Sequence, residues 1–149
     1  MIEHVNFIDL SVDEKKLVLE WRNSREVSFY MHSKEISLEE HFCFIESLKK
    51  NQEKSYFLVK YDGENIGVIY LVDDFLGLYA NPECQGVGKI LLHEIIIIAF
   101  EVKKLSSLKA EVYKENEKAI KLYEKFGFSI IQKTEHILIM ELENENRSS

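Results

Sequence analysis

At 149 residues the chain is the size of one domain with room for a core, and 46% hydrophobic against 30% charged residues excludes a disordered polypeptide. A formal charge of −7 argues against a nucleic-acid partner, which needs concentrated Lys and Arg, although a local basic cluster still suits one small anion. Residues 1–10 lack the pattern of a signal peptide, no apolar run is long enough to span a bilayer, and Cys43 and Cys84 have no metal-ligand spacing, so the expectation is a cytoplasmic protein without membrane or metal.

Residues 5–8 read as a short first strand. Ser11-Val12-Asp13-Glu14 has capping-box form, and Leu17, Val18 and Trp21 continue at helical spacing, which predicts a helix to about Arg22. A second box, Ser37-Leu38-Glu39-Glu40, opens another helix with Phe42, Phe44, Ile45 and Leu48 on its buried side. The β-rich runs 56–61 and 66–72 flank Asp62-Gly63-Glu64-Asn65, a hairpin signal, and Asp73-Asp74 turns the chain into a strand over 75–80. After Pro82 and Gln85-Gly86-Val87-Gly88 comes an apolar stretch through Val102. Its β-branched residues 95–98 favour a strand, but its length and the following strand-like run 105–113 predict a helix. Asn116 caps a helix through Phe126, Gly127 is its left-handed C′ residue, and 128–131 with 137–142 close the chain as a hairpin around Lys133-Thr134-Glu135. The order predicts a mixed α/β domain with a largely antiparallel sheet and one strand–helix–strand crossover.

Two segments carry chemistry. Residues 76–89 run from a strand through a Gly-bearing loop into a helix. The unpaired amides and positive end of a helix there favour a pyrophosphate, and glycine lets it approach the main chain. The alternative is a strand-to-helix turn with no ligand. Residues 116–128 form an amphipathic capped helix in which Tyr123 could equally be packing.

Together the segments resemble the signatures of the GNAT superfamily of N-acetyltransferases. Gln85 and Gly88 match its Gln/Arg-x-x-Gly-x-Gly/Ala motif, with Ile90 where the family has a last small residue. Asn116, Ala119, Tyr123, Gly127 and Phe128 match its Asn-x-x-Ala-x-x-x-Tyr-x-x-x-Gly-Phe motif. The resemblance implies the GNAT fold in one domain, 1–142, with residues 143–149 a disordered tail. That fold is a mixed, mostly antiparallel sheet of about seven strands, with about four helices on both faces and a V-shaped splay between the fourth and fifth strands. It also implies acetyl-CoA as co-substrate. Pantetheine would lie along Leu78, Tyr79 and Ala80, bonding main-chain groups of Leu78 and Ala80. The amides of Gly86, Val87, Gly88 and Lys89, entered from Gln85, would hold the diphosphate. Asn116, in the motif with Ala119, would hold the cofactor arm, and Tyr123 would sit near the thioester sulfur as general acid.

The N-terminal half narrows the acceptor. Glu20-Trp21-Arg22-Asn23, Tyr30-Met31 and residues 36–42, with Gly77-Leu78-Tyr79 and 108–112, resemble the amino-sugar acetyltransferases of bacterial pseudaminic acid synthesis. Those enzymes acetylate the 4-amine of a UDP-linked 4-amino-4,6-dideoxy-N-acetyl-altrosamine used to glycosylate flagellin. Candidate substrate residues are Arg22, Met31, His41, Tyr79 and Glu111. Arg22 could instead pair with Glu26, Met31 could fill the core, and His41 could be a hydrogen-bonded buried histidine. Glu111 stands out because a carboxylate in mid-strand needs a partner or a task, and it could take the ammonium proton. A ribosomal-protein type of N-terminal acetyltransferase and a non-enzymatic CoA-binding sensor remain open alternatives. Oligomeric state is also open, a homodimer included.

Overall fold

The structure, a computed structural model, describes residues 1–28 and 35–144. Seven strands form one sheet in the order β1-β2-β3-β4-β5-β7-β6. They are β1 (Ile2–Asn6), β2 (Lys54–Tyr61), β3 (Glu64–Val72), β4 (Phe75–Ala80), β5 (Ser107–Tyr113), β6 (Ser129–Lys133) and β7 (Ile137–Glu143). Every neighbouring pair is antiparallel except β4 with β5. That pair is parallel because the helix after β4 carries the chain back across the sheet.

Five helices cover the two faces: α1 (Val12–Asn23), α2 (Arg25–Ser28), α3 (Leu38–Leu48), α4 (Gly88–Ile97) and α5 (Glu117–Lys125). On one face Val18 and Trp21 of α1 and Ile45 and Leu48 of α3 pack with Leu58, Val68 and Tyr79. On the other, Leu91, Leu92 and Ile95 of α4 and Tyr123 of α5 pack with Ile69, Leu76, Ala110 and Val112. The alternation of side chains along the strands sorts the residues between the faces. Both predicted capping boxes form. Ser11 and Glu14 exchange bonds of 3.1 and 2.9 Å, and Ser37 and Glu40 exchange bonds of 3.1 and 3.0 Å.

Several boundaries differ from the sequence reading for identifiable reasons. The first strand runs over Ile2–Asn6 rather than 5–8, because the Asn6 side chain accepts from Ile8 N–H at 3.1 Å and turns Phe7–Asp9 into a 3₁₀ turn. The fifth begins at Ser107, since Leu105 N–H is drawn to the Ala99 carbonyl at the end of the preceding helix. That helix is continuous as predicted, with a last π turn over Ile98–Val102. Its β-branched run is helical because Leu91, Leu92, Ile95, Ile98 and Ala99 recur at helical spacing and are all buried. The tail was expected to begin at residue 143, yet Glu143 closes β7, and Asn144 bonds Ser106 and Leu105. Residues 145–149 lie outside the described ones. The short helix α2 carried no sequence signal.

His41 heads the buried stripe of α3, ahead of Ile45 and Leu48. It is 5% exposed and packs edge-on to Phe7 at 6.4 Å. Its Nε2–H donates to the Lys15 carbonyl of α1 at 2.8 Å, which ties the two helices together. Burial lowers its pKa below the ordinary 6.5, opposed by the Lys15 carbonyl and aided by the Lys15 charge. The unfolded chain therefore takes up this proton before the folded protein does. His41 contributes its full stability above about pH 6.5 and loses it as pH falls through the lowered folded value. Melting temperature should fall as pH is lowered from about 6.5. A His41→Gln variant should melt lower at neutral pH, by about 1 kcal/mol of stability, and show a flatter pH dependence there. Equal slopes in the two proteins would assign the acid sensitivity to another group.

Candidate active site

β4 and β5 pair only at Phe75↔Lys109 and Leu76↔Ala110. Asp74 fastens this closed end. Its carbonyl accepts from Lys109 N–H and its carboxylate from the Lys109 ammonium, both at 2.8 Å. Beyond Leu76 the strands part. Because the Asp74 carbonyl points at β5, the two-residue period of a strand aims the main-chain groups of Leu76, Leu78 and Ala80 the same way. Asn81 N–H, bonded to Ile66 on β3 at 2.9 Å, obeys the opposite parity. Leu78 and Ala80 thus present polar main chain to the gap, an edge on which an extended amide ligand can add as a strand.

The gap opens into a cleft of about 660 Å³. The cleft passes through the sheet, so side chains of both faces line it. Leu78, Tyr79, Ala80, Gln85, Gly86, Val87, Gly88, Glu111, Asn116, Ala119 and Tyr123, all expected from sequence, stand on its wall. Lys89 is one residue further along α4 and exposed, off the wall.

Past β4, Asn81 organises the loop: its side chain accepts from Glu83 N–H at 2.9 Å and its carbonyl from Cys84 N–H at 2.8 Å. Gly86 follows with φ 73°, in open space, so no side chain stands over the main chain there. The first helical bond of α4 is Leu91 N–H to the Val87 carbonyl at 3.0 Å, and no side chain caps this end. The preceding amides face the cleft mouth with the positive end of the helix behind them. Gly88 sits where a Cβ would come within 3.2 Å of Leu122 of α5, so the glycine lets the start of α4 approach the middle of α5 closely. Ile90, the departure from the family pattern, packs its side chain against the α4/α5 core. It does not crowd the loop.

Asn116 caps α5 by accepting from Ala119 N–H at 3.3 Å through Oδ1. At the other end Gly127 N–H bonds the Glu124 carbonyl and Phe128 N–H the Tyr123 carbonyl, both at 3.0 Å. These are the two bonds of a Schellman motif, with Gly127 at φ 98°. The accompanying apolar contact is Tyr123 with Phe128, ring centres 5.3 Å apart. Tyr123 is therefore held at main chain and ring by the motif that ends its helix. It is 7% exposed, and burial, with a smaller effect from Tyr70, raises its pKa, so the phenol stays protonated.

On the α1/α3 face of the cleft stand Glu111 and Tyr79. Glu111 is exposed, so the expectation that a mid-strand carboxylate is costly meets a solvated one at the open splay. Tyr79 is buried, which raises its pKa, with Tyr70 and Tyr56 adding to the rise and the nearby Arg22 charge opposing it. Arg22 acts in the same sense on Tyr56 and Tyr70, so its charge reaches all three tyrosines, though Arg22 does not itself line the cleft. The structure does not bring His41 to the cleft, and Met31 lies outside the described residues. Sequence reasoning passed over Tyr70, Gly77, and Glu26 and Val27 of α2, all on the wall. Only Gly77, a glycine in mid-strand, signalled itself.

Comparison with known proteins agrees with this geometry. The acetyltransferase (GNAT) family model matches residues 17–128. The acetyltransferase PseH of Campylobacter jejuni is 45% identical over 136 residues, 87% of this chain and 86% of that one. A crystal structure of Campylobacter jejuni N-acetyltransferase PseH in complex with acetyl coenzyme A superposes with a TM-score of 0.84 at 37% identity, covering 97% of this chain and 100% of that one. Vibrio cholerae spermidine N-acetyltransferase, bound to CoA and spermine, reaches the same TM-score at 18% identity over 95% of each chain, which speaks to fold alone. The chain belongs to the acetyltransferase (GNAT) family. It is an acetyl-CoA-dependent N-acetyltransferase.

Proposed function

We propose that this enzyme acetylates the 4-amine of a UDP-linked 4-amino-4,6-dideoxy-N-acetyl-altrosamine, the amino-sugar step of pseudaminic acid synthesis, in the cytoplasm. The observation that carries the reading is the cleft through the sheet, with helix-start amides at one end and Glu111 among tyrosines at the other. The 45% identity to PseH supports the acceptor class.

In this reading acetyl-CoA lies on the α4/α5 side. The amides of Gly86, Val87, Gly88 and Lys89 hold the diphosphate, the Leu78 and Ala80 main chain binds pantetheine as an added strand, and Asn116 steadies the arm from Nδ2. Ala119, one turn into α5, offers a small side chain under that arm. The amino sugar enters from the α1/α3 side, past Glu111 and Tyr79. Arg22 supplies positive charge near the tyrosines for an acceptor bearing a diphosphate. Glu111 takes the ammonium proton directly or through water. The amine attacks the thioester carbonyl, whose oxygen becomes an oxyanion facing a main-chain N–H of the Leu78 strand. The C–S bond then breaks, Tyr123 gives its phenolic proton to the departing thiolate, and the second proton, shed by the acylated nitrogen, restores the phenol directly or through water.

Three substitutions separate these roles. Gly86→Pro removes an amide and holds φ near −65° where the loop has 73°, so acetyl-CoA affinity should fall at least about tenfold while the melting temperature stays within a few degrees. Undiminished affinity in the folded variant would remove the loop from the diphosphate site. Tyr123→Phe keeps the contact with Phe128 and removes only the hydroxyl. Its kcat should drop by roughly ten- to ten-thousandfold with acetyl-CoA binding intact, and a wild-type rate would leave Tyr123 as packing. Glu111→Gln should lower kcat/KM for the amine and shift or abolish the acidic limb of its pH profile. Because Glu111 is exposed, stability should change by no more than about 0.5 kcal/mol. Release of CoA with the UDP-amino sugar, compared with spermidine and with ribosomal-protein N-terminal peptides, tests the acceptor. Preference for a peptide would overturn the sugar reading, and no turnover with any amine would favour a CoA-binding sensor.

A further inference from the structure

Tyr56, Tyr70 and Gly77 lie in one row across β2, β3 and β4, since Tyr56 is paired with Tyr70 and Tyr70 with Gly77. The β4–β5 register ends at Leu76↔Ala110, so Gly77 and Glu111 are the next residues of the two strands and face each other across the mouth of the splay. The row thus runs from two tyrosines over a glycine to the carboxylate.

Gly77 has no room for a side chain. A Cβ there would fall 1.9 Å from Cζ, 2.2 Å from Cε2 and 2.3 Å from the hydroxyl oxygen of Tyr70. The phenol end of Tyr70 therefore lies directly over the β4 backbone and points along the row toward Glu111. Tyr56 fixes its plane from behind, stacked at 4.5 Å and 7°. Glycine in mid-strand costs roughly 0.5–1 kcal/mol relative to alanine, a cost that the ring packed over it offsets in part. What the glycine permits is a hydroxyl on the cleft wall at that place. The hydroxyl keeps its proton: burial raises its pKa, the Arg22 charge opposes the rise and the Glu111 charge adds to it. A protonated phenol both donates and accepts, which suits a sugar hydroxyl or amide beside the reacting amine.

We propose that Tyr70 is an acceptor-positioning residue: its hydroxyl, carried over the strand through the space left at Gly77, holds the amino sugar so that the amine meets Glu111. Gly77 is a specificity determinant because it admits that ring. The inference deepens the amino-sugar reading above and rests on it.

The test is steady-state kinetics with acetyl-CoA and the UDP-linked 4-amino sugar, beside thermal melting, for wild type, Tyr70→Phe, Tyr70→Ala, Gly77→Ala and the double variant. Tyr70→Phe keeps the stack and loses one hydroxyl, so acceptor KM should rise about tenfold with kcat, acetyl-CoA KM and melting temperature nearly unchanged. Gly77→Ala displaces the ring and should raise acceptor KM in the same way, with some loss of stability. In the Tyr70→Ala background the added Gly77→Ala should change neither, because nothing is left to displace. This pair keeps the test valid if Gly77→Ala alone is too unstable to assay. An unchanged acceptor KM in Tyr70→Phe overturns the inference, as do a loss confined to kcat or an equal rise in both KM values. If instead the wild type does not turn over the amino sugar, the acceptor reading fails and takes the inference with it. Wild-type turnover beside an unaffected Tyr70→Phe variant overturns the inference alone.

Discussion

A sheet whose two central strands hold each other at only two residue pairs is the constraint on which the rest of the structure depends. Unpaired main-chain groups in a protein interior are costly, so β4 and β5 can separate only where water or a ligand reaches the exposed edges. The Asp74–Lys109 contacts hold the closed end at main chain and side chain together. The side-chain pair is partly exposed and worth little by itself, so the backbone bond and the flanking β3–β4 and β5–β7 ladders carry the geometry. Rigid ladders on both outer sides make the gap a fixed slot.

The parts around the slot are held by devices that a helical protein needs in any case. Asn116 is an N-cap, Tyr123 the residue whose carbonyl and ring complete a Schellman motif, and Gly88 a packing point between the start of α4 and α5. Placing ligand-facing groups on caps limits their motion at no further conformational cost, since the fold already orders them. It also means that a substitution at one of these positions alters fold and site together. Conservative replacements such as Tyr123→Phe are therefore more informative there than truncations.

Much of this was legible in the sequence. The capping boxes, the Gly-bearing loop and the Asn116-to-Phe128 pattern are local, and local hydrogen bonds decide them, so residue order suffices. The α4/α5 side of the cleft was readable for the same reason, being built by two contiguous segments. The α1/α3 side was not. Tyr70 and Gly77 are meaningful only as neighbours across a strand pair, which residue order shows once register is known. His41 entered the acceptor list through the resemblance, whereas its apolar helix neighbours pointed to the hydrogen-bonded buried histidine that the structure shows. Glu111 was singled out on the assumption that mid-strand means buried, whereas the splay leaves it in solvent.

Side-chain alternation puts Glu111 on the α1/α3 face, while Tyr123 reaches the gap from α5 on the other. On the reading proposed here, the proton leaving the amine and the proton reaching the thiolate travel on opposite sides of β4 and β5. The environments match the tasks. A base that accepts a proton from an incoming ammonium and returns it to solvent gains from exposure. A proton donor to a departing thiolate gains from burial that keeps it protonated. The same burial makes Tyr123 a weaker acid, which would oppose the transfer if the thiolate were solvated. On the same reading it would not oppose it, because a thiolate released beside Tyr123 would lose its water as well, and desolvation raises the proton affinity of both partners together. What matters is the difference between them, which a shared dry pocket leaves small.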